Sequence, residues 1–254
     1  MRVAAISDIH GNLDALEAVL ADIARRGADL IVNLGDIVSG PLQPVETAER
    51  LMALDLPTIR GNHERQLLTL ARDSMGESDA FAHKRLTPLQ RQWLASLPAT
   101  LTLEGIFLCH GTPQSDVGYF LHTVEPETVR PASSAEVRER AAGRREGLIL
   151  CGHTHLPAVR RLGDGQLVVN PGSVGLQAYR DERPYPHIVE NGSPHARYAI
   201  AERDRDGVWR AELLEVDYCW RMPAWLASEH GRLDWVHALR TGRLPASLCD
   251  GEQE

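Results

Sequence analysis

The stretch RVAAISDIHGNLDALEAVLADIARRGADLIVNLGD, residues 2–36, decides the fold. Val3 to Ile6 is a short apolar run ended by polar residues, too short for a helix, and reads as a buried strand. Leu13, Leu16, Val19, Leu20 and Ile23 then recur at helical spacing, Asn12 stands at the N-cap position and Gly27 stops the helix. Leu30 to Leu34 is the next strand, closed by Gly35-Asp36. Val45 to Leu54 repeats the helical pattern, and Thr58 to Arg60 reads as a third strand. This alternation predicts parallel βαβ units with functional loops at the carboxyl ends of the strands.

Further along, Thr87-Pro88-Leu89-Gln90 combines a capping box with Pro at the first helical position and predicts a helix to about Leu97. Thr100 to Leu103 and Ile106 to Cys109 flank Glu104-Gly105 as a hairpin, and Leu148 to Leu150 is another strand. Ala158 to Leu162 and Gln166 to Val169 flank Gly163-Asp164-Gly165, a strong hairpin signal. Arg197 to Glu202 and Val208 to Val216 form a last hairpin. Residues 112–147 are polar and weakly patterned, read as a surface excursion with some helix near Ala135 to Gly143. Residues 175–196 read as a Pro- and Gly-punctuated loop. Met222 to Arg240 is helical in pattern, and the tail from Thr241 to Glu254 is expected to fray. The organisation read from this is one domain over 1–218 and a C-terminal helical appendage, 219–254, packed on it.

The composition narrows the function. A formal net charge of −8 argues against a nucleic-acid surface built on bulk charge, and no basic groove interleaved with aromatics is present. No apolar run approaches the ~20 residues that a membrane helix needs. Cys109, Cys151, Cys219 and Cys249 show no CxxC spacing and no secretory signal precedes them, so they read as reduced thiols of a cytoplasmic protein.

Five polar clusters carry the chemistry: Asp8-Ile9-His10, Gly35-Asp36, Gly61-Asn62-His63-Glu64, Cys109-His110-Gly111 and Gly152-His153-Thr154-His155. Each repeats one device, in which a strand is followed by a small residue and a polar ligand. Taken singly, a Gly-Asp or Gly-Asn pair is an ordinary turn, and a lone His after a strand is most often a hydrogen-bonded residue. Together the clusters supply two carboxylates, one amide and four imidazoles, besides His63. That set suits two metal ions sharing a bridging carboxylate. The mixed ligands accept Mn, Fe, Ni or Zn.

This motif series resembles that of the calcineurin-like metallophosphoesterase superfamily, over about Met1 to Ser173. Asn170-Pro171-Gly172-Ser173 resembles the corresponding motif of its bacterial and archaeal small phosphodiesterase and phosphatase branch. The resemblance implies a four-layer αββα sandwich of class α/β, with two mixed sheets and a dinuclear site at the carboxyl ends of the strands. It implies that Asp8, His10 and His155 hold one metal, that Asn62, His110 and His153 hold the other, and that Asp36 bridges them. It further implies hydrolysis of a small phosphate ester, mono- or diester, by a metal-bridging hydroxide with His63 as general acid. The alternative from another class is a non-catalytic metal-binding scaffold, which has no need of a general acid.

The chain departs from the pattern at two places. Where phosphatases of this superfamily carry Gly-Asp-x-x-Asp-Arg-Gly, Ser39 replaces the Asp that orients the catalytic His, and Gly40 replaces an Arg that grips phosphate. Other substrate-gripping candidates are Arg60, Tyr179, Arg180, Arg183, His187 and His195. The last five lie in the 175–196 loop, whose other reading is a solvated face. Residues 112–147 either cover the site or form a plain insertion. Strand alternation points Cys109 and Cys151 away from the neighbouring ligands. The C-terminal Trp residues read as helix core or as an oligomer contact.

Overall fold

A computed structural model describes residues 1–126 and 128–246. The elements in chain order are β1 (Arg2–Ile6), α1 (Leu13–Arg26), β2 (Leu30–Asn33), α2 (Pro44–Leu54), α3 (Asn62–Thr69), α4 (Glu77–Arg85) and α5 (Pro88–Ser96). There follow β3 (Thr100–Leu103), β4 (Ile106–Cys109), β5 (His122–Glu125), β6 (Thr128–Pro131), α6 (Ser134–Arg140), β7 (Leu148–Leu150), β8 (Ala158–Arg161) and β9 (Leu167–Asn170). The chain continues through β10 (Ala178–Asp181), β11 (His187–Glu190), β12 (Ala196–Arg203), β13 (Trp209–Val216), α7 (Arg221–Glu229) and α8 (Leu233–Thr241).

Two mixed sheets make the body, in the orders β13-β12-β1-β2 and β3-β4-β7-β9-β8. β1 pairs parallel with β2 and antiparallel with β12, and β4, β7 and β9 run parallel. The period-two alternation of the strands builds three apolar layers. Val3 and Ala5 of β1 face Ile106, Leu108, Leu148 and Leu150 between the sheets. Ala4 and Ile6 face the other way, against Leu16, Val19 and Ile23 of α1 and Leu51 of α2. Phe107 and Ile149 turn outward under Val137 of α6, Phe120 and Leu121. The αββα sandwich is therefore present, with a single short helix on its second outer face. Truncating a buried residue such as Leu108 to Ala would cost about 2–5 kcal/mol, the transfer and cavity terms together.

Local signals hold where they were chemically specific. Asn12 caps α1 by accepting from the Ala15 N–H, and Thr87 and Gln90 close their capping box at α5. Weaker signals fail. Thr58–Arg60 forms only one parallel bridge, Thr58 to Asn33, because the chain leaves the sheet at once to start α3. The 112–147 stretch holds the hairpin β5–β6 as well as α6, and the 175–196 loop holds the hairpin β10–β11. The predicted C-terminal helix is two helices, broken at His230-Gly231 where Gly231 takes a positive φ of 73°. Up to residue 246 the tail is anchored rather than frayed: Leu244 is buried and its N–H donates to Glu190. The rest of the expected frayed tail, with Cys249, lies outside the described residues. Among the described residues no helix is long and apolar enough to cross a membrane.

Candidate metal centre

The carboxyl ends of β1, β2, β4 and β7 meet at one rim, and main-chain hydrogen bonds lace their loops together. Asp8 N–H donates to Gly35 O, His10 N–H to Asp36 O, and Gly152 N–H to His110 O. Glu64, fully buried, accepts from the N–H groups of Asp36, Ile37 and Gly61, each at 2.8 Å. One carboxylate thus fixes both the Gly35-Asp36 and the Gly61-Asn62 turns. The Gly61 turn packs so closely on Asp36 that a Cβ there would overlap the Asp36 carboxylate. Asn170 and Ser173 stitch the opposite side. Asn170 donates to Gly152 O and Thr154 Oγ1, and Ser173 Oγ donates to Asp8 O.

Within this frame the seven expected ligands converge, all buried. Asp8, His10 and His155 form one group, and Asp36, His110 and His153 a second. Asp8 Oδ1 lies 3.4 Å from His155 Nε2 and 3.9 Å from His110 Nε2, and Asp36 Oδ2 lies 3.0 Å from His110 Nε2. Three imidazoles are locked from behind: Nδ1–H of His10 donates to Ser39 O, that of His110 to Leu34 O, and that of His155 to Leu176 O. Each therefore aims Nε2 inward, where the neutral ring carries its lone pair. His10 Nε2 and His155 Nε2 stand 3.1 Å apart with no proton for either. The amide oxygen of Asn62 lies 3.1 Å from His110 Nε2, and that corner of the amide faces two further acceptors, Asp36 Oδ2 and His153 Nδ1. Asp8 Oδ1 has no hydrogen-bond partner. Buried acceptors facing one another are costly unless a cation lies between them, so the residues present fit divalent metal ions.

The backbone shows the same demand. Asp8, His10, Asp36, His153 and His155 all take positive φ, between 53° and 67°. Non-glycine residues seldom adopt this region, and strain of this kind persists where the surrounding structure enforces it.

Charges set the protonation of the metal-free centre. Burial, and then His155, push His10 down to about 3, and burial and then His110 push His153 down to about 4. For His110 burial opposes protonation, but the charge and hydrogen bond of Asp36 overcome it and hold the ring up at about 10. Despite burial, His110 and His63 keep the Asp36 carboxyl well below its usual range.

His63 follows Asn62 at the start of α3, and its side chain is 29% exposed. Its Nδ1–H donates to Asp79 Oδ1 at 2.7 Å, and Ser39 Oγ donates to the same oxygen at 2.6 Å. The carboxylate that position 39 lacks thus comes from α4, forty residues later, with Ser39 as its support. Asp79 is the partner of His63 that the sequence does not reveal, where it is one more acidic residue in a first helical turn. Burial disfavours the imidazolium, but Asp36 and then Asp79 hold it up to about 9. Gly40 cannot host a gripping side chain: its Cβ would meet His10 O and the Trp235 ring of α8.

A cavity of about 1240 Å³ opens over the centre. His63, Arg65 and Gln66 of the α3 side line it, as do Tyr179, Arg180 and Arg183 of the β10–β11 hairpin and Arg232 and Trp235 near the C-terminus. Three of the six substrate candidates therefore face it. Arg60, His187 and His195 do not line it. His187 is buried and bonded to Tyr119 and Tyr185, and His195 pairs with Glu215 on the sheet. Sequence proximity misplaced them: His187, on the same face of the hairpin as Tyr179, is taken up by Tyr119, and Arg60 and His195 lie outside the hairpin. Among the described residues of the 112–147 stretch, only Val117 lines the cavity. Cys109 and Cys151 lie in the outer layer of the second sheet, and burial pushes both thiols up.

Residues 1–190 match the family described as the calcineurin-like phosphoesterase superfamily domain. The chain is 30% identical to the phosphodiesterase YfcE of Escherichia coli over 186 residues, 69% of this chain and 80% of that protein. It is 29% identical to an uncharacterized protein of Methanocaldococcus jannaschii over 228 residues, 85% of this chain and 87% of the other. Among solved structures it is similar to a metallophosphoesterase from Sphaerobacter thermophilus, with 26% identity, a TM-score of 0.73, and coverage of 95% of this chain and 99% of the other.

Proposed function

The chain belongs to the calcineurin-like phosphoesterase superfamily, and from that premise we propose that it is a dinuclear phosphodiesterase acting on small substrates. Asp8, His10 and His155 would hold one ion, and Asn62, His110 and His153 the other, with Asp36 shared between them. The observation that carries this reading is the set of buried acceptors converging on one another, His10 Nε2 on His155 Nε2 and the Asn62 oxygen on Asp36 Oδ2 and His153 Nδ1. When bound, two divalent ions supply charge neutralisation at phosphorus and an activated water as nucleophile.

The chain's own residues do the rest. His63 presents the ring edge opposite Asp79 to the cavity and donates a proton to the leaving oxygen, a role worth ~10²–10⁴-fold. Asp79 acts through His63, fixing its tautomer and favouring the charged ring. Arg180, Arg183 and Tyr179 form the wall where the ester's organic arms lie. The cavity reaches Arg65 and Leu70 on one side and Arg183 and Pro184 on the other, room for a substituent on each side of the phosphate, which supports a diester. Similarity to the phosphodiesterase of Escherichia coli supports the same class. The division into a catalytic body, 1–218, and a helical appendage, 219–254, belongs to this reading; the packing of Ala224, Trp235 and Leu239 on Leu176 and Ala178 supports it.

The test is to strip the protein of metal, reload it with Mn, Fe, Ni or Zn singly, and assay p-nitrophenyl phosphate beside its bis-ester. Metal-dependent turnover favouring the diester is expected. Inactivity on both with every ion would overturn the enzyme reading in favour of the scaffold, and a monoester preference would correct the substrate class.

A further inference from the structure

One ligand imidazole is held differently from the rest. His10, His110 and His155 each have Nδ1–H tied to a carbonyl, whereas Nδ1 of His153 faces Asn62 inside the centre. What bounds His153 is aromatic: Tyr119 meets it edge-on, ring centroids 5.4 Å apart and planes at 79°. Tyr119 lies in the segment that runs on from His110, so the chain that supplies one ligand of this group also supplies the wall for another.

Tyr119 is itself fixed at its tip. Its hydroxyl lies 2.7 Å from Tyr179 Oη and 2.7 Å from His187 Nε2. His187 Nδ1–H donates to Tyr185 O, so in the neutral ring Nε2 accepts the Tyr119 proton and Tyr119 in turn accepts from Tyr179. Tyr179 lays its own ring against His155, with centroids 4.7 Å apart. The joined tyrosines therefore touch one imidazole of each ligand group. Their effects differ, because His155 is already locked through Leu176 O and His153 has no such lock. The segment carrying Tyr119 is also pinned on its far side, where Asp116 pairs with both Arg65 nitrogens.

We propose that Tyr119, held by Tyr179 and His187, is the positioning residue for His153 and thereby governs occupancy of the metal position built on Asp36, Asn62, His110 and His153. This rests on the dinuclear reading above. Groups that orient metal ligands from behind are worth on the order of 10–100-fold in metal affinity. The loss should fall on one ion and spare the other.

The experiment is Mn(II) titration of the full chain by calorimetry, with electron paramagnetic resonance of the loaded samples and a thermal melt of each variant. Wild type should take up two ions and show an exchange-coupled pair. Tyr119→Ala should bind the first ion as wild type does, bind the second ~10–100-fold more weakly, and show a single-ion spectrum at the same Mn(II) concentration. Tyr119→Phe, which keeps the ring, should recover most of the second affinity. Wild-type affinities at both positions in Tyr119→Ala, or an equal loss at both, would overturn the proposal. Should Tyr119→Ala fail to fold, Tyr119→Leu, which fills the space without the aromatic ring, decides: selective weakening of the second ion supports the proposal, and unchanged binding of both overturns it. A wild-type protein that takes up no pair of ions would refute the dinuclear reading itself.

Discussion

Replacing Asp79 by Asn keeps the shape of the contact to His63 and removes its charge. Unit charges ~4 Å apart at an effective dielectric of ~20 interact by about 4 kcal/mol. With the His63 side chain 29% exposed, solvent screening reduces this to about 2 kcal/mol. At ~1.4 kcal/mol per pH unit, that brings the imidazolium of the metal-free protein from about 9 to about 7.5. Ser39 Oγ can still donate to the new amide oxygen, so the fold should be kept. Histidine NMR titration of the metal-free variant reads the shift directly. Turnover of the metal-loaded enzyme reads its consequence. A diester with an alkyl leaving group needs the proton from His63, and its kcat should fall by about 10–10²-fold in Asp79→Asn and further in His63→Ala. A p-nitrophenyl ester leaves without that help and should lose much less. Unchanged His63 titration, or equal losses with both leaving groups, would refute the assignment of Asp79 and His63 to acid catalysis.

Asp36→Ala should abolish uptake of the metal pair, since it removes the shared carboxylate; elemental analysis showing wild-type metal content would contradict that role. Glu64→Ala orphans three buried N–H donors at once, at ~1–3 kcal/mol each, and should lower stability by about 3–9 kcal/mol in urea titrations of the metal-free protein. The stability of that metal-free protein should also peak near pH 6.5. His63 and His110 have raised values, so the stability they contribute is complete below 6.5 and is lost as pH rises through about 9 and about 10. His10 and His153 are buried neutral, so theirs is complete above 6.5 and is lost as pH falls through about 4 and about 3. Urea midpoints at pH 5, 6.5 and 9.5 would show it, and a monotonic trend would contradict it.

How far the sequence could be read depended on the range of the interactions involved. The α1 cap, the Thr87 capping box and the hairpin across Gly163-Asp164-Gly165 are settled by neighbours within a few residues, and all three appear as expected. The β10–β11 stretch reads as a loop in the sequence because Pro and Gly interrupt it, although Ala178 to Glu190 pair across it in register. Tyr179 reaches the cavity, whereas His187, on the same face of the hairpin, is taken up by Tyr119 and Tyr185, which no one-dimensional pattern distinguishes. Thr58–Arg60 makes only one bridge to β2, which a run as short as Thr-Ile-Arg does not reveal.

The ligand set was legible because each strand delivers its side chains at its own carboxyl end, a rule that the alternation of strands and helices already carries. The two-sheet body came from the resemblance of the motif series, not from that alternation, which carries only parallel βαβ units. Asp79 beneath His63, Trp235 against Gly40, Glu64 bridging two turns and Tyr119 against His153 arise from contacts between residues from 3 to 195 positions apart. Such partners are chosen by how helices and hairpins pack around the rim. Local chemistry along the chain therefore determined which atoms could bind metal, and only the folded arrangement decided which groups orient them, hold their protons and shape the space above them.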